Sequence, residues 1–189
     1  MIIIARYNED MEWTKQFPNV LIYNKGATLN ENYNQIMLNN VGREGHTYYK
    51  YIYDNYDNLD NYTIFLQGNP FDHSPNVIEN INKYINNKDL SIDFEFISEK
   101  LLYTNLSGCH HHEGIPLQYV YERLFDERKN YMIIRFGMGA QFIVSRNKIL
   151  ERPRSFYLKI VEMLEKSISP LEGYVIERFH GLIFSPTKK

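Results

Sequence analysis

The sequence predicts an α/β fold, a mostly parallel central sheet with helices on both faces, and three observations carry that expectation. Short β-rich apolar runs alternate with helical spacing along the whole chain, the pattern of β-α-β units. No repeat, low-complexity tract or linker interrupts it, so residues 1–189 read as one domain. Several runs end in densely polar segments, where open parallel sheets place their ligands.

Ile2 to Tyr7 opens the chain as a buried strand; its apolar run is too short for a signal peptide and lacks a basic region before it. Asp10 to Phe17 has room for a short helix that Pro18 stops, and Val20 to Asn24 is a second strand. From Gly42 onward, Tyr48, Tyr49, Ile52, Tyr53, Tyr56 and Leu59 recur at the spacing of one helical face. Tyr62 to Leu66 is a third strand, closed by Gln67-Gly68-Asn69-Pro70. Ser74-Pro75 reads as a cap and first-turn proline for a helix that buries Val77, Ile81 and Tyr84. Ile92 to Ile97 alternates apolar with acidic residues, as a half-exposed strand does. Leu117, Val120, Tyr121 and Leu124 mark another helix, and Tyr131 to Phe136 and Ala140 to Ser145 are two strands joined by Gly137-Met138-Gly139. Two helices close the chain, with faces Phe156 through Leu164 and Val175 through Ile183.

Composition excludes several function classes. A formal charge of -2 provides no electrostatic footprint for nucleic acid. No stretch approaches the about 20 apolar residues of a membrane span. The single cysteine, Cys109, cannot form an internal disulfide, which fits a reducing, cytoplasmic setting. The 16 tyrosines, in a chain also rich in Asn, Ile and Lys, read mostly as the codon background of an AT-rich genome rather than as a stacking platform for sugars or bases.

The polar strand ends supply the candidates. The first strand runs into Arg6-Tyr7-Asn8-Glu9-Asp10, the second into Asn24-Lys25-Gly26, and the third into Gln67 through His73. One such end is ordinary turn chemistry; three in succession outline a site. Between the second and third strands, Gly42-Arg43-Glu44-Gly45 stands at a helix start, where free N–H groups and an arginine suit a diphosphate or a carboxylate. A polar cap with Arg43 paired to Glu44 is the plainer alternative. Gly108-Cys109-His110-His111-His112-Glu113-Gly114 gathers imidazoles, a thiol and a carboxylate, yet adjacent residues point apart and the spacing matches no zinc signature. Near the end, Glu177 and His180 are spaced to share a helix face off the apolar stripe, where they could act as base and orienter or hold a metal together.

In order and content, Arg6-Tyr7-Asn8-Glu9, Gly42-Arg43-Glu44-Gly45 and Phe65 through His73 resemble a glycosyltransferase of the GT-A type, as do the later Gly139 to Ser145 strand and Glu177. Residues 5–10, 22–26, 41–48 and 67–73 are more closely similar to a family of uncharacterised proteins from fungi and large DNA viruses, over nearly the whole chain. For a viral member the resemblance implies the host cytoplasm.

The GT-A resemblance implies transfer of a sugar from a nucleotide-sugar donor to a glycan or protein hydroxyl. Arg6, Asn8 and Glu9, with Asn24 and Gln67 beside them, would contact the donor, while Lys25 and Arg43 would neutralise its diphosphate. Asp72 with His180 would hold a divalent cation, Mn or Mg, and Glu177 would be the base of an inverting reaction or stabilise the transition state of a retaining one. The chain departs from the GT-A pattern in having no Asp-X-Asp; Asp72-His73 is the nearest substitute and Asp93-Phe94-Glu95 the next. Two other readings compete. One is a metal-dependent hydrolase built on His110 through Glu113 with Asp72, His73 and His180, and the other is a non-catalytic nucleotide-sugar or glycan binder.

Overall fold

In the computed structural model, residues 1–87, 89–109 and 112–184 are described. The strands are β1 (Ile2–Arg6), β2 (Val20–Asn24), β3 (Gln35–Met37), β4 (Tyr62–Gln67), β5 (Phe94–Phe96), β6 (Leu101–Asn105), β7 (Ile133–Gly137) and β8 (Phe142–Ser145). The helices are α1 (Arg43–Asp54), α2 (Val77–Asn86), α3 (Leu117–Phe125), α4 (Arg146–Leu150), α5 (Arg154–Leu164) and α6 (Leu171–Phe184).

Six strands form the main sheet in the order β3-β2-β1-β4-β8-β5, and β6 pairs with β7 in a small antiparallel sheet. The pairs β3-β2, β2-β1 and β1-β4 are parallel, whereas β8 runs antiparallel to both β4 and β5. In the centre, Ile4 stands opposite Ile22 on one side and Leu66 on the other. That register brings the residues after β1, β2 and β4 out along the same edge of the sheet.

The sheet is covered on both faces, which is why β1 is a continuous apolar run buried at every position. Ile3, Ala5, Tyr23, Phe65, Phe142 and Val144 pack against α1, α3, α5 and α6. Ile2, Ile4, Ile22, Ile64, Leu66 and Ile143 face the opposite layer, made by α2 together with Met11 and Phe17. Among the described residues, no helix is long and apolar enough to cross a membrane.

Local expectations change in four places. The first short helix is a 3-10 turn, Glu12–Gln16. Ser74 does not cap α2: it is fully buried and donates its hydroxyl to the Ile97 carbonyl at 3.2 Å. The strands expected on either side of Gly137-Met138-Gly139 are not a hairpin, because β7 belongs to the small sheet and β8 to the main one. Gly42 precedes α1 with φ 64°, and a Cβ there would stand 2.7 Å from the Leu164 carbonyl oxygen. This glycine therefore lets α1 seat on the end of α5 rather than admitting a ligand.

Candidate functional site

The carboxyl ends of β1 and β2 and the start of α1 enclose a cleft of about 500 Å³, lined by Arg6, Tyr7, Glu9, Lys25, Arg43 and Glu44. Ile168 and Ser169, between α5 and α6, close one side. Its size is that of a small-molecule site.

On the β1–β2 side the polar groups of Arg6 and Asn24 are directed largely into the protein itself. Arg6, expected to contact a nucleoside, donates from Nε to the Glu9 carbonyl at 2.8 Å and from Nη1 to Asn24 Oδ1 at 2.7 Å and the Ala27 carbonyl at 2.8 Å. Asn24 is fully buried; its Oδ1 also accepts from the Gly26 N–H at 3.0 Å, and its Nδ2 donates to Ala27 O at 2.8 Å and Gln35 Oε1 at 2.9 Å. Arg6 and Asn24 thus tie the loops after β1 and β2 together; for Asn24, fully buried and absent from the cleft lining, this corrects the expected donor contact. Gly26 makes that closure possible, since a Cβ there would stand 1.6 Å from the Tyr7 carbonyl oxygen. Asn8 Oδ1 accepts from the Ala27 N–H at 2.9 Å and Glu9 Oε2 from the Tyr7 N–H at 2.7 Å, so both also shape this loop.

The α1 side keeps more capacity. The Lys25 ammonium donates to the carbonyls of Val41 and Arg43, each at 2.6 Å, and retains a third N–H. Burial pulls this amine down to about 8, with the Glu44 carboxylate acting in the opposite direction. Arg43 has a left-handed backbone, φ 52°, sparsely populated for a non-glycine residue. Its backbone N–H donates to the Ile168 carbonyl at 3.3 Å, and that of Gly42 to Ser167 at 2.9 Å, so these amides are spent on the α5–α6 connection. The guanidinium lies 4.3 Å from the centre of the Tyr174 ring, donates to its hydroxyl at 3.1 Å, and has Nε 3.6 Å from Glu44 Oε2. Gln67 donates to Glu44 Oε1 at 2.8 Å, which joins the end of β4 to the start of α1.

Glu177 stands apart from the residues lining the cleft. Its Oε1 accepts from the Gly139 N–H at 3.0 Å and its Oε2 from Arg178 Nη1 at 2.7 Å. Arg178 is buried and also meets His112 Nδ1 at 2.8 Å, while the His112 ring lies 4.3 Å from that of Tyr174. A polar chain therefore runs from Arg43 through Tyr174, His112 and Arg178 to Glu177.

Asp72 and His180 do not fit a shared divalent ion. Asp72 is exposed, with Asn69 Nδ2 3.4 Å from its carboxylate. His180 is fully buried, its Nδ1 2.8 Å from the Tyr49 hydroxyl and its ring 4.6 Å from that of Phe142. Burial alone pushes this imidazole down to about 3, so it is a neutral core group rather than part of a solvated face. Among the described residues, no group of three or more His, Cys, Asp or Glu side chains is placed to hold a metal. His110 and His111 of the expected cluster lie outside the described residues.

In the sequence Glu44 stands out only within the Gly42–Gly45 segment, as a partner for Arg43, and Tyr48 only as a helix position. Tyr174 had one available signal, its place three residues before Glu177 on the same helix. No curated protein and no solved structure matches the chain. A family model described as a protein of unknown function, DUF3431, matches residues 1–189, so the chain belongs to the DUF3431 family.

Proposed function

We propose that the chain transfers a sugar from a nucleotide-sugar donor to an acceptor hydroxyl, with the donor in the cleft beyond β1 and β2. The observation that carries this reading is the set of two incompletely used cations, Lys25 and Arg43, facing two carboxylates, Glu9 and Glu44, around one cleft. A diphosphate needs fixed positive charge with donors left over, and both cations retain them. A direct displacement also needs a carboxylate beside the acceptor. Glu44 lines the cleft, whereas Glu177 is not among its lining residues, so the role of base passes from Glu177 to Glu44.

In this reaction the acceptor oxygen bonds to the anomeric carbon as the anomeric carbon–oxygen bond to phosphate breaks. The bonding pair leaves on the nucleoside diphosphate, and the acceptor proton passes to Glu44. Lys25 and Arg43 stabilise the charge that develops on the leaving group. No step runs through a metal, because Asp72 and His180 are not placed to share one.

Calorimetric titration with uridine and guanosine diphosphate sugars, followed by an assay of donor consumption, tests the reading. Arg43→Ala should weaken donor binding by about 10- to 150-fold, the loss of one charge-assisted contact. An unchanged dissociation constant in the folded variant removes Arg43 from the site. A wild-type chain that binds donors but neither transfers nor hydrolyses their sugars is a binding module instead.

A further inference from the structure

We propose that one enclosed water molecule sits between α1 and α6 and bridges the Tyr48 hydroxyl to the carboxylates of Glu44 and Glu177. The inference deepens the function proposed above, because it makes Tyr48 a positioning residue for Glu44.

Tyr48 is completely buried, its ring 5.1 Å from that of Phe65, 5.8 Å from Phe142 and 6.2 Å from His180. Those contacts fix the ring, yet its hydroxyl has no hydrogen-bond partner among the described residues. Burying a hydroxyl without a partner costs free energy, and such groups in folded proteins are normally satisfied by protein or ordered water.

The surroundings supply acceptors. Glu44 precedes Tyr48 by one helical turn on α1, so the two share a face. Across from them on α6, His180 faces Tyr48 and follows Glu177 by three residues. The two columns, Glu44 over Tyr48 and Glu177 over His180, therefore oppose each other. Burial first, and then the charges of Glu44 and Glu177, hold the Tyr48 phenol well above its ordinary ionisation range, so it stays a hydrogen-bond donor.

An ionised carboxylate offers about four acceptor positions. Glu44 receives Gln67 and the Arg43 ion pair, and Glu177 receives Gly139 and Arg178. Both have lone pairs to spare while Tyr48 has a proton and no acceptor. No direct hydrogen bond joins them among the described residues, and water is the ligand that can accept from Tyr48 and donate to two carboxylates. His180 Nε2, on the ring that faces Tyr48, is another buried atom without a partner among the described residues.

The sign of a stability change decides between a bridged and a dry hydroxyl. If the hydroxyl anchors water, Tyr48→Phe should lower Tm by about 2–6 °C. The decrement should shrink by at least half in a Glu44→Ala or a Glu177→Ala background. That coupling of the Tyr48 hydroxyl to each carboxylate is a change that a merely structural role would not produce.

An unchanged or raised Tm overturns the proposal, as does an undiminished decrement in both backgrounds. A high-resolution crystal structure of the wild-type chain should place a water about 3 Å from Tyr48 Oη. An empty position there overturns the proposal whether or not the variant folds. None of these measurements needs a nucleotide sugar, so they are read separately from the donor titrations.

Discussion

The two sides of the cleft use their polar groups in opposite ways. Arg6 and Asn24, after β1 and β2, are buried and direct their bonds into neighbouring carbonyls and amides at 2.7–3.1 Å. Arg43 and Glu44, at the start of α1, pair at 3.6 Å, with Arg43 in a left-handed conformation and the Tyr48 hydroxyl, one turn on, without a partner among the described residues. Groups that satisfy one another build the site, and groups held with strain and spare capacity are available to a ligand. An arginine at a strand end can belong to either kind, and only its partners decide which.

The largest effect expected from this contrast is on turnover. Glu44→Gln preserves size and the bond from Gln67 but removes the negative charge, so it should reduce turnover by roughly 10² to 10⁴ while donor binding changes little. Glu177→Gln should leave most of the rate. Full turnover in Glu44→Gln, with loss in Glu177→Gln, would return the base to α6 and reverse the contrast between the two carboxylates.

Stability should divide the arginines in the other direction. Arg6→Ala strips donors from buried Asn24 and from the part-buried carbonyls of Tyr7, Glu9 and Ala27, and should cost about 3 kcal/mol in urea unfolding. Arg43→Ala removes a partly exposed ion pair and should cost about 1 kcal/mol or less. Equal losses would mean that the closed and open halves of the cleft are energetically alike.

The sheet was legible because β1, β2 and β4 are compact β-rich apolar runs with polar ends, and their parallel pairing brings those ends to one edge. Arg43 was legible from its glycine-flanked helix start, although Gly42 is there for packing against α5. His180 was misread because spacing from Glu177 locates a face without saying what covers it. α6 is buried at Val175, Ile176, Phe179, His180 and Ile183, around most of its circumference, so no solvated stripe exists at that turn. The missing partner of Tyr48 was invisible for a different reason: helical periodicity marks a core position, and only three-dimensional packing reveals what a hydroxyl lacks. Strand assignment also leaves the choice of sheet open, so β7 and β8 could not be separated by local pattern.

A smaller effect is read through pH. His180 is held neutral down to about 3, against an ordinary value of 6.5. The unfolded chain therefore takes up a proton that the folded chain refuses, and stability falls as pH drops from 6.5 toward 3. His46, pushed down to about 4 by burial and then by Lys25 and Lys50, acts in the same direction. Tm measured from pH 7.5 to 5 should decline less steeply in His180→Phe than in the wild-type chain; parallel slopes would place His180 in solvent contact.

Lys25 should produce the smallest and most specific effect, at the opposite end of the pH scale. Its amine ionises near 8 in the folded chain against 10.5 ordinarily, because burial disfavours the cation. Between those values the unfolded state binds more protons, so the Lys25 contribution to stability rises with pH, while below pH 8 the folded chain carries the full penalty of a buried ammonium. Lys25→Met removes this linkage, and its loss of the bonds to Val41 and Arg43 is a constant offset. Wild-type stability relative to Lys25→Met should therefore increase from pH 8 to 10.5, with the buried tyrosines cancelling in the difference. Saturating uridine diphosphate should hold Lys25 protonated and flatten that rise, and nucleotide affinity should weaken as pH passes 8. A difference curve that is already flat without nucleotide would make Lys25 an ordinary surface amine and leave Arg43 as the cation that distinguishes the open side of the cleft.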